Sequence, residues 1–178
     1  MKKIGIIIGA TREGRIGRQI AEQVLKQSSN SEQVSYDLID LKEVNLPLLD
    51  EPYPASMGKY QHPHTLAWSS LIKSYAGFII VTPEYNHGYP AALKNALDYL
   101  YAEWNNKPVA FVGYGYSASG SRSVMQLHQV ANAVQLKVIG KEVLINLAVN
   151  AKDGVFFSND GVDGQFKLLC TILEKELL

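Results

Sequence analysis

The sequence predicts a three-layer α/β fold around a parallel, doubly wound five-stranded sheet of order 2-1-3-4-5. Five apolar runs alternate along the chain with segments of helical periodicity, which is the pattern of strands joined by crossover helices. Because such crossovers are right-handed, a doubly wound sheet is the natural topology. In that order the loops after strands one, three and four meet at the switch point, where open α/β sheets bind ligands.

Size and composition fit one domain over residues 1–178, with 47% hydrophobic and 19% charged residues. Lys+Arg and Asp+Glu both number 17, so the formal net charge is zero, which argues against a nucleic-acid or membrane-surface partner. No apolar run is long enough to span a bilayer. The single cysteine, Cys170, leaves no intramolecular disulfide and fits a cytoplasmic location.

The first half of the chain supplies three strands and a long connection. Residues 3–9 form an isoleucine-rich run ending in glycine, as expected of a strand buried on both faces. A loop and an amphipathic helix follow, and then residues 34–41 as strand two. The connection 42–64 is unusually long, and connections of this length are often lids or interface pieces. Residues 65–75 predict a helix and residues 77–82 a buried third strand.

The second half continues the alternation. Residues 109–115 predict strand four, and residues 119–135 predict a helix. Residues 137–146 are more polar and are expected to form strand five at an edge of the sheet. A loop over 147–160 leads to a last helix, 162–177.

Residues 91–104 predict a helix that is apolar on more than one face. Its main stripe consists of Leu93, Ala96, Leu97, Leu100 and Trp104, and its flank carries Ala92, Tyr99 and Ala102. A helix of this kind is covered on both sides. We therefore expect a homodimer with this helix in the interface, and a dimer of dimers as a higher assembly. The alternative is that loops of the same chain cover the flank.

The first loop, residues 9–17, joins a strand to a helix N-terminus, where backbone N–H groups and the helix dipole favour a phosphate. Thr11 offers a hydroxyl, and Arg12 and Arg15 offer charge-assisted hydrogen bonds. The loop is neither a Walker loop nor a dinucleotide fingerprint, because Arg15-Ile16 and Thr11 replace the required residues. A monophosphate is the favoured ligand, and a solvated basic turn is the alternative.

Two further loops carry candidate binding residues. Residues 83–90 form an irregular turn, rich in polar and aromatic side chains, at the carboxyl end of strand three. The loop after strand four matches only a loose GxGxxA pattern, and no acidic residue follows at the spacing that ribose recognition needs. We interpret it as a glycine loop that approaches a flat ring, with Tyr114 and Tyr116 as apolar walls.

A metal centre is not expected. His62 and His64 flank a proline in a loop, and His87 and His128 are far apart without cysteine or acidic partners at ligand spacing. Cys170 lies in the apolar pattern of the last helix and is expected to be a packed core thiol.

Three segments carry a family resemblance: GATREGRIG (9–17), TPEYNHGYPAALKNALDYL (82–100) and GYGYSASGSRS (113–123). In this order and spacing they resemble the NADPH-dependent FMN reductase family of flavodoxin-like proteins, which includes quinone, azo-dye and chromate reductases. The resemblance spans roughly residues 1–150. It implies a flavodoxin-like fold, FMN and NADPH as cofactors, and a flavin that carries the chemistry without a catalytic side chain.

The resemblance also implies a set of binding residues. The FMN phosphate would be held by Thr11, Arg12, Arg15, Ile16 and Gly17. The isoalloxazine and ribityl chain would contact Pro83, Glu84, Tyr85, Asn86, His87 and Gly88, with Asn86 hydrogen-bonding the pyrimidine edge, and Tyr114 and Gly115 would lie against the ring. The sequence departs from the family at Ala10, where serine is common, and at Tyr116 and Ser119, where glycines are frequent.

The resulting functional hypothesis is an enzyme that passes electrons from NADPH through FMN to a quinone, an azo compound, a metal oxyanion or free flavin. Backbone donors of residues 84–88 would stabilise charge on the reduced ring, and Tyr85, Tyr89 and Trp104 would form an aromatic slot for the nicotinamide and the acceptor. The alternatives are a flavin-binding electron carrier or redox regulator, and an FMN-releasing reductase of a two-component oxygenase. The neutral charge with arginines at the phosphate loop favours an enzyme over a carrier.

Overall fold

The computed structural model describes residues 1–28 and 33–177. Its central sheet is parallel and five-stranded, in the order β2-β1-β3-β4-β5. The strands are β1 (Lys2–Ile8), β2 (Val34–Asp40), β3 (Gly77–Pro83), β4 (Pro108–Gly115) and β5 (Lys137–Asn146). This is the flavodoxin-like order predicted from the sequence, and the more polar fifth strand lies at an edge as expected.

Helices cover both faces of the sheet. The longer helices are α1 (Gly17–Gln27), α3 (Pro63–Lys73), α4 (Ala91–Asp98), α5 (Ser121–Ala133) and α7 (Asp160–Leu177). Short elements complete the chain: α2 (Leu41–Val44), a 3₁₀ turn (Ala55–Met57), α6 (Leu147–Asn150), and a hairpin of β6 (Ala151–Lys152) and β7 (Val155–Phe156). No helix in the described ranges is long and apolar enough to cross a membrane.

Two hydrophobic clusters sandwich the sheet. One contains α1 and α7 side chains packed on alternate residues of β1 such as Ile4 and Ile6, and the other contains side chains from α3, α4 and α5 packed on Ile7. All three isoleucines are at most 1% exposed. The isoleucine run is therefore buried on both faces, which confirms the prediction for the first strand.

The helix predicted over residues 91–104 ends earlier than expected. Its regular part stops at Asp98, and turns follow to Asn106. The bend brings Trp104 back against Trp68 and Phe78, and its Nε1 donates to the Leu97 carbonyl over 3.1 Å. The prediction was wrong because this packing of aromatic side chains overrides the helical pattern.

The apolar flank of that segment is covered in part by the same chain. Tyr99 is fully buried, and its hydroxyl donates to the Asp50 carboxylate over 2.9 Å. The Asn95 side chain accepts from the Leu49 N–H and donates to the Pro47 carbonyl. The long connection therefore lies over one side of α4, whereas Ala102 of the same flank is exposed. The homodimer through this segment stays a prediction.

The connection turns its own apolar residues outward instead. Leu48, Leu49, Tyr53 and Met57 are all exposed, and Leu48 is exposed by 82%.

Residues 147–160, expected to form a loop, contain α6 and the β6–β7 hairpin. The side chain of Asn146 caps α6 by accepting from the Ala148 N–H.

The strand register aligns the carboxyl ends of the sheet. Ile8 lies beside Val81, and Pro83 lies beside Tyr114. The end of β4 continues the row at Gly115, which lies beside Asn146 of β5. The loops after β1, β3, β4 and β5 therefore start from one edge of the sheet.

Candidate active site

A cleft of about 150 Å³ opens at this edge. Its walls come from the loops after β1, β3 and β4 and from the start of α6: Arg12, Arg15, Ile16, Pro83, Glu84, Tyr85, Tyr114, Gly115, Tyr116 and Leu147. The structure thus brings together all three loops predicted from the sequence. Leu147 was missed, because no local pattern indicates that the chain after β5 turns back toward the site.

The N-terminus of α1 points into this region without a cap. Within the described chain, no side chain accepts from its first-turn amides, and its first turn holds no acidic residue. The first N–H groups of a helix have no partner inside the helix and carry its positive dipole end. An uncapped terminus beside a cleft fits an anionic group such as a phosphate.

Tyr114 places a second unmet donor beside this terminus. The side chain is only 4% exposed, and its hydroxyl has no hydrogen-bond partner within residues 1–28 and 33–177. A Cβ on Gly17 would lie 2.5 Å from the Tyr114 hydroxyl, so only glycine permits this approach. Burial raises the pKa of Tyr114, so the phenol stays protonated and can donate.

The two arginines of the first loop differ in their surroundings. Arg15 donates to the Asp40 carboxylate over 2.5 Å, and both side chains are largely buried, at 11% and 1% exposure. Arg18 adds a second bond to the same carboxylate. Arg12 is exposed, and within the described residues its side chain bonds only to the carbonyl of neighbouring Glu13. Arg12 is therefore the more accessible of the two cations, although Arg15 also lines the cleft and its buried Nε has no partner within the described residues.

Thr11 lies apart from the cleft. It lines a neighbouring cavity of about 280 Å³ between α2 and α4, together with Leu41, Asn45 and Asn95. Its predicted contact with a phosphate stays a prediction.

The turn after β3 is a tight hairpin-like loop. Tyr85 and Gly88 exchange two backbone hydrogen bonds of 2.8 and 2.9 Å. Between them Asn86 and His87 both adopt positive φ, 49° and 68°, as in a type I′ turn. Their backbone N–H groups make no hydrogen bond to any described residue, so the turn presents two adjacent free donors. Of the predicted ligand residues, Asn86, His87 and Gly88 lie on this turn outside the cleft walls.

Side chains from the first turns of α5 hold this turn in place, and the sequence analysis did not identify them. The Glu84 carboxylate accepts from the Arg122 guanidinium over 2.7 Å. The Ser123 hydroxyl lies 2.8 Å from the Pro83 carbonyl oxygen and 2.7 Å from that of Gly88. The Gln126 amide donates to the His87 carbonyl over 3.0 Å. Glu84 is therefore a structural anchor rather than a free carboxylate.

The loop after β4 depends on close backbone contact. A Cβ on Gly120, which has a φ of 84°, would lie 2.2 Å from the Tyr114 nitrogen. Gly113 faces it from the strand, where a Cβ would lie 2.9 Å from the Gly120 carbonyl oxygen. Tyr116 by contrast is exposed at the rim of the cleft. The prediction of a glycine-dependent loop with an aromatic wall is consistent with this geometry.

The aromatic slot forms only in part. Tyr85 is 37% exposed and lines the cleft, and Tyr89 is half-buried nearby in sequence. Trp104 is fully buried in the core beneath α4. Its assignment to the slot is wrong, because the chain after Asp98 turns inward. No group of three or more His, Cys, Asp or Glu side chains in residues 1–28 and 33–177 is placed to hold a metal ion.

Comparison with known proteins decides the family. The family model of NADPH-dependent FMN reductases matches residues 2–150. The chain belongs to this family. It is 40% identical over 174 residues to the NAD(P)H-dependent FMN reductase ntnL of Nectria sp, covering 93% of this chain and 85% of that protein. It is 30% identical to a 2-hydroxy-1,4-benzoquinone reductase of Burkholderia sp, covering 71% and 67%.

Solved structures agree on the fold. FerB, a flavoenzyme NAD(P)H:(acceptor) oxidoreductase from Paracoccus denitrificans, superposes with a TM-score of 0.75 at 20% identity, covering 100% of both chains. This member of the NADPH-dependent FMN reductase family is thus an oxidoreductase that works with FMN and NAD(P)H.

Proposed function

We propose that this reductase holds FMN in the cleft between the three loops and passes electrons from NADPH to a small acceptor. The acceptors it fits are a quinone, an azo compound, a metal oxyanion or free flavin. One observation carries the proposal: unmet hydrogen-bond donors converge on one edge of the sheet. They are the uncapped start of α1, the buried Tyr114 hydroxyl and the free N–H groups of Asn86 and His87.

These donors divide by chemistry into two groups. The α1 terminus and the Tyr114 hydroxyl lie together and suit the dianionic phosphate, and Arg12 adds a charge from the rim. The two N–H groups of the turn suit the polar pyrimidine edge of the isoalloxazine. Tyr85 and Tyr116 supply apolar surface beside a flat ring. The phosphate and the isoalloxazine of FMN thus each have hydrogen-bond donors suited to their chemistry.

When bound, FMN supplies the redox chemistry by accepting a hydride from the nicotinamide and giving up electrons to the acceptor. The protein contributes binding, orientation and electrostatics. The N–H groups of Asn86 and His87 stabilise negative charge that develops on the pyrimidine edge. No side chain has to act as acid or base, and the buried Glu84 is already committed to Arg122.

The direct test is a visible spectrum after FMN has been added and excess flavin removed by gel filtration, followed by anaerobic NADPH. We expect a two-band flavin spectrum that NADPH bleaches. Flavin that is retained but not bleached would point to an electron carrier or regulator. No retention, with turnover of free FMN, would point to the FMN-releasing reductase. Parallel assays with NADH and with a quinone would assign the donor and acceptor.

We also propose a homodimer, with the outer face of the connection 42–64 and the adjoining surface of α4 in the interface. The support is the exposed apolar set of Leu48, Leu49, Tyr53 and Met57, which is costly to leave in water. A cytoplasmic location is proposed on the single cysteine in the sequence.

A further inference from the structure

The turn that carries Asn86 and His87 is held in a conformation that it would not keep alone. Both residues have positive φ, and neither is glycine. Left-handed backbone is unfavourable for most non-glycine residues, though less so for asparagine and histidine, and surrounding structure helps to fix it. The closing hydrogen bonds between Tyr85 and Gly88 are one such constraint.

The second constraint comes from α5. The Ser123 hydroxyl is fully buried and lies within hydrogen-bond distance of the carbonyl oxygens at both ends of the turn, those of Pro83 and Gly88. Gln126, one helical turn further, donates to the His87 carbonyl inside the turn. Residues at this spacing share a helix face. One face of α5 thus holds the middle of the turn through Gln126 and one end of it through the single Ser123 O–H, which both end carbonyls share.

We propose that Ser123 and Gln126 are positioning residues for the flavin. This proposal rests on the proposed function. Ser123 and Gln126 keep the N–H groups of Asn86 and His87 directed at the pyrimidine edge of FMN and do not contact FMN themselves. Reduction places negative charge on that edge, so donors held in place bind reduced FMN more tightly than oxidised FMN. Loosening the turn therefore weakens flavin binding and makes the flavin harder to reduce.

The test compares Ser123→Ala with Ser121→Ala, and Gln126→Ala with Gln129→Ala. Ser121 lies at the start of the same helix, and Gln129 lines the same outer surface as Gln126. Within the described chain, neither control side chain makes a hydrogen bond to the turn. Three quantities are measured: the FMN dissociation constant by fluorescence quenching, the midpoint potential of bound FMN, and amide exchange at Tyr85 and Gly88 in the FMN-free protein.

For Ser123→Ala we expect faster exchange at Tyr85 and Gly88 and an FMN dissociation constant raised about tenfold, the effect of removing one buried hydrogen-bond donor from the turn. The Pro83 and Gly88 carbonyls keep their bonds from the Thr82 hydroxyl and the Tyr85 N–H. If the loss falls tenfold more heavily on reduced FMN, the potential becomes more negative by about 30 mV for the two-electron couple. Gln126→Ala, a surface change, shifts both in the same direction by a smaller factor, and both controls stay at wild-type values.

The inference is overturned if folded Ser123→Ala and Gln126→Ala proteins keep the wild-type dissociation constant within twofold and the wild-type midpoint potential within about 9 mV. If Ser123→Ala does not fold, Gln126→Ala against Gln129→Ala decides alone. A wild-type protein that binds no FMN would be a different result, since it overturns the proposed function and this inference together.

Discussion

The guanidinium of Arg15 is bonded to the buried carboxylate of Asp40, whereas Arg12, three residues earlier, extends to the rim of the cleft. Asp40 ends β2 and also caps α2 by accepting from the Lys42 N–H. The ion pair therefore ties the first loop to the neighbouring strand. Arg15 is thus bound into the fold and keeps only its Nε unpartnered among the described residues, whereas Arg12 is exposed at the rim.

Replacing these arginines should therefore give opposite phenotypes. For Arg12→Ala we expect an FMN dissociation constant raised about tenfold, through loss of one charge-assisted bond, and an unchanged melting temperature. For Arg15→Ala we expect a loss of about 1–3 kcal/mol in the free energy of unfolding, limited because Arg18 remains bonded to Asp40. Denaturation curves give the free energy of unfolding of both variants, and FMN titrations give their dissociation constants. Equal effects of the two changes on stability would contradict the division.

Tyr114→Phe should separate ligand binding from folding. The hydroxyl is buried without a partner, so its removal should leave the FMN-free protein as stable as before or more stable by about 1 kcal/mol. The same change should weaken FMN binding several-fold, because the phosphate loses a donor. Tyr36→Phe is the control: its hydroxyl donates to Glu174 over 2.7 Å, so its loss should destabilise the protein and spare FMN binding. Destabilisation by Tyr114→Phe would show that the hydroxyl is already satisfied.

The interface hypothesis can be tested on the long connection. Leu48→Asp should convert a dimer to monomers, because an uncompensated charge would enter an apolar contact. Leu168→Asp on α7, at an exposed leucine away from the connection, should leave the dimer intact. Analytical ultracentrifugation gives the answer. Tyr99 and Leu100 are unsuitable probes, because both are core residues and their substitution would unfold the chain. A monomeric wild type would refute the proposal.

Glu103 predicts an acid limit to stability. Burial alone would raise its pKa, but hydrogen bonds from Ser69 and Tyr60 and the charge of Lys73 outweigh burial and lower it below 4.5. Between the folded and unfolded pKa values the unfolded state binds more protons, so the free energy of unfolding rises with pH there. The contribution is complete above about pH 5 and is lost as the pH falls through the folded pKa.

The matching measurement is urea denaturation of the wild type and Glu103→Gln from pH 3 to 7. The wild type should be the more stable protein near neutrality, and the difference should shrink as the pH falls below about 4.5. A difference that stays constant over this range would show that another group sets the acid limit.

The sheet was predictable because buried parallel strands leave a strong signal: continuous apolar runs such as 77–82 and 109–115, separated by helical periodicity. The positions of the three binding loops followed from strand order alone. Contacts between distant segments were not predictable. Nothing in local sequence shows that Ser123 reaches two carbonyls of the β3 turn, or that Asp40 takes up Arg15.

The misplaced end of α4 has the same origin. Residues 99–104 keep helical spacing, yet Trp104 gains more by packing on Trp68 and Phe78 than by continuing the helix. Local periodicity shows that residues 99–104 could form a helix, whereas packing in the core determines the structure that they adopt. The assignment of Trp104 to the aromatic slot was wrong for the same reason.

The contact between Gly113 and Gly120 has an evolutionary consequence. A side chain at either position would collide with backbone atoms, so we expect selection to remove substitutions of these two glycines. Tyr116 and Ser117 lie on the same loop but are exposed, so a change of side chain there need not disturb the packing of the sheet. Substitutions during evolution can therefore alter the rim of the cleft, and with it the range of molecules admitted, while the close packing of Gly113 on Gly120 is kept.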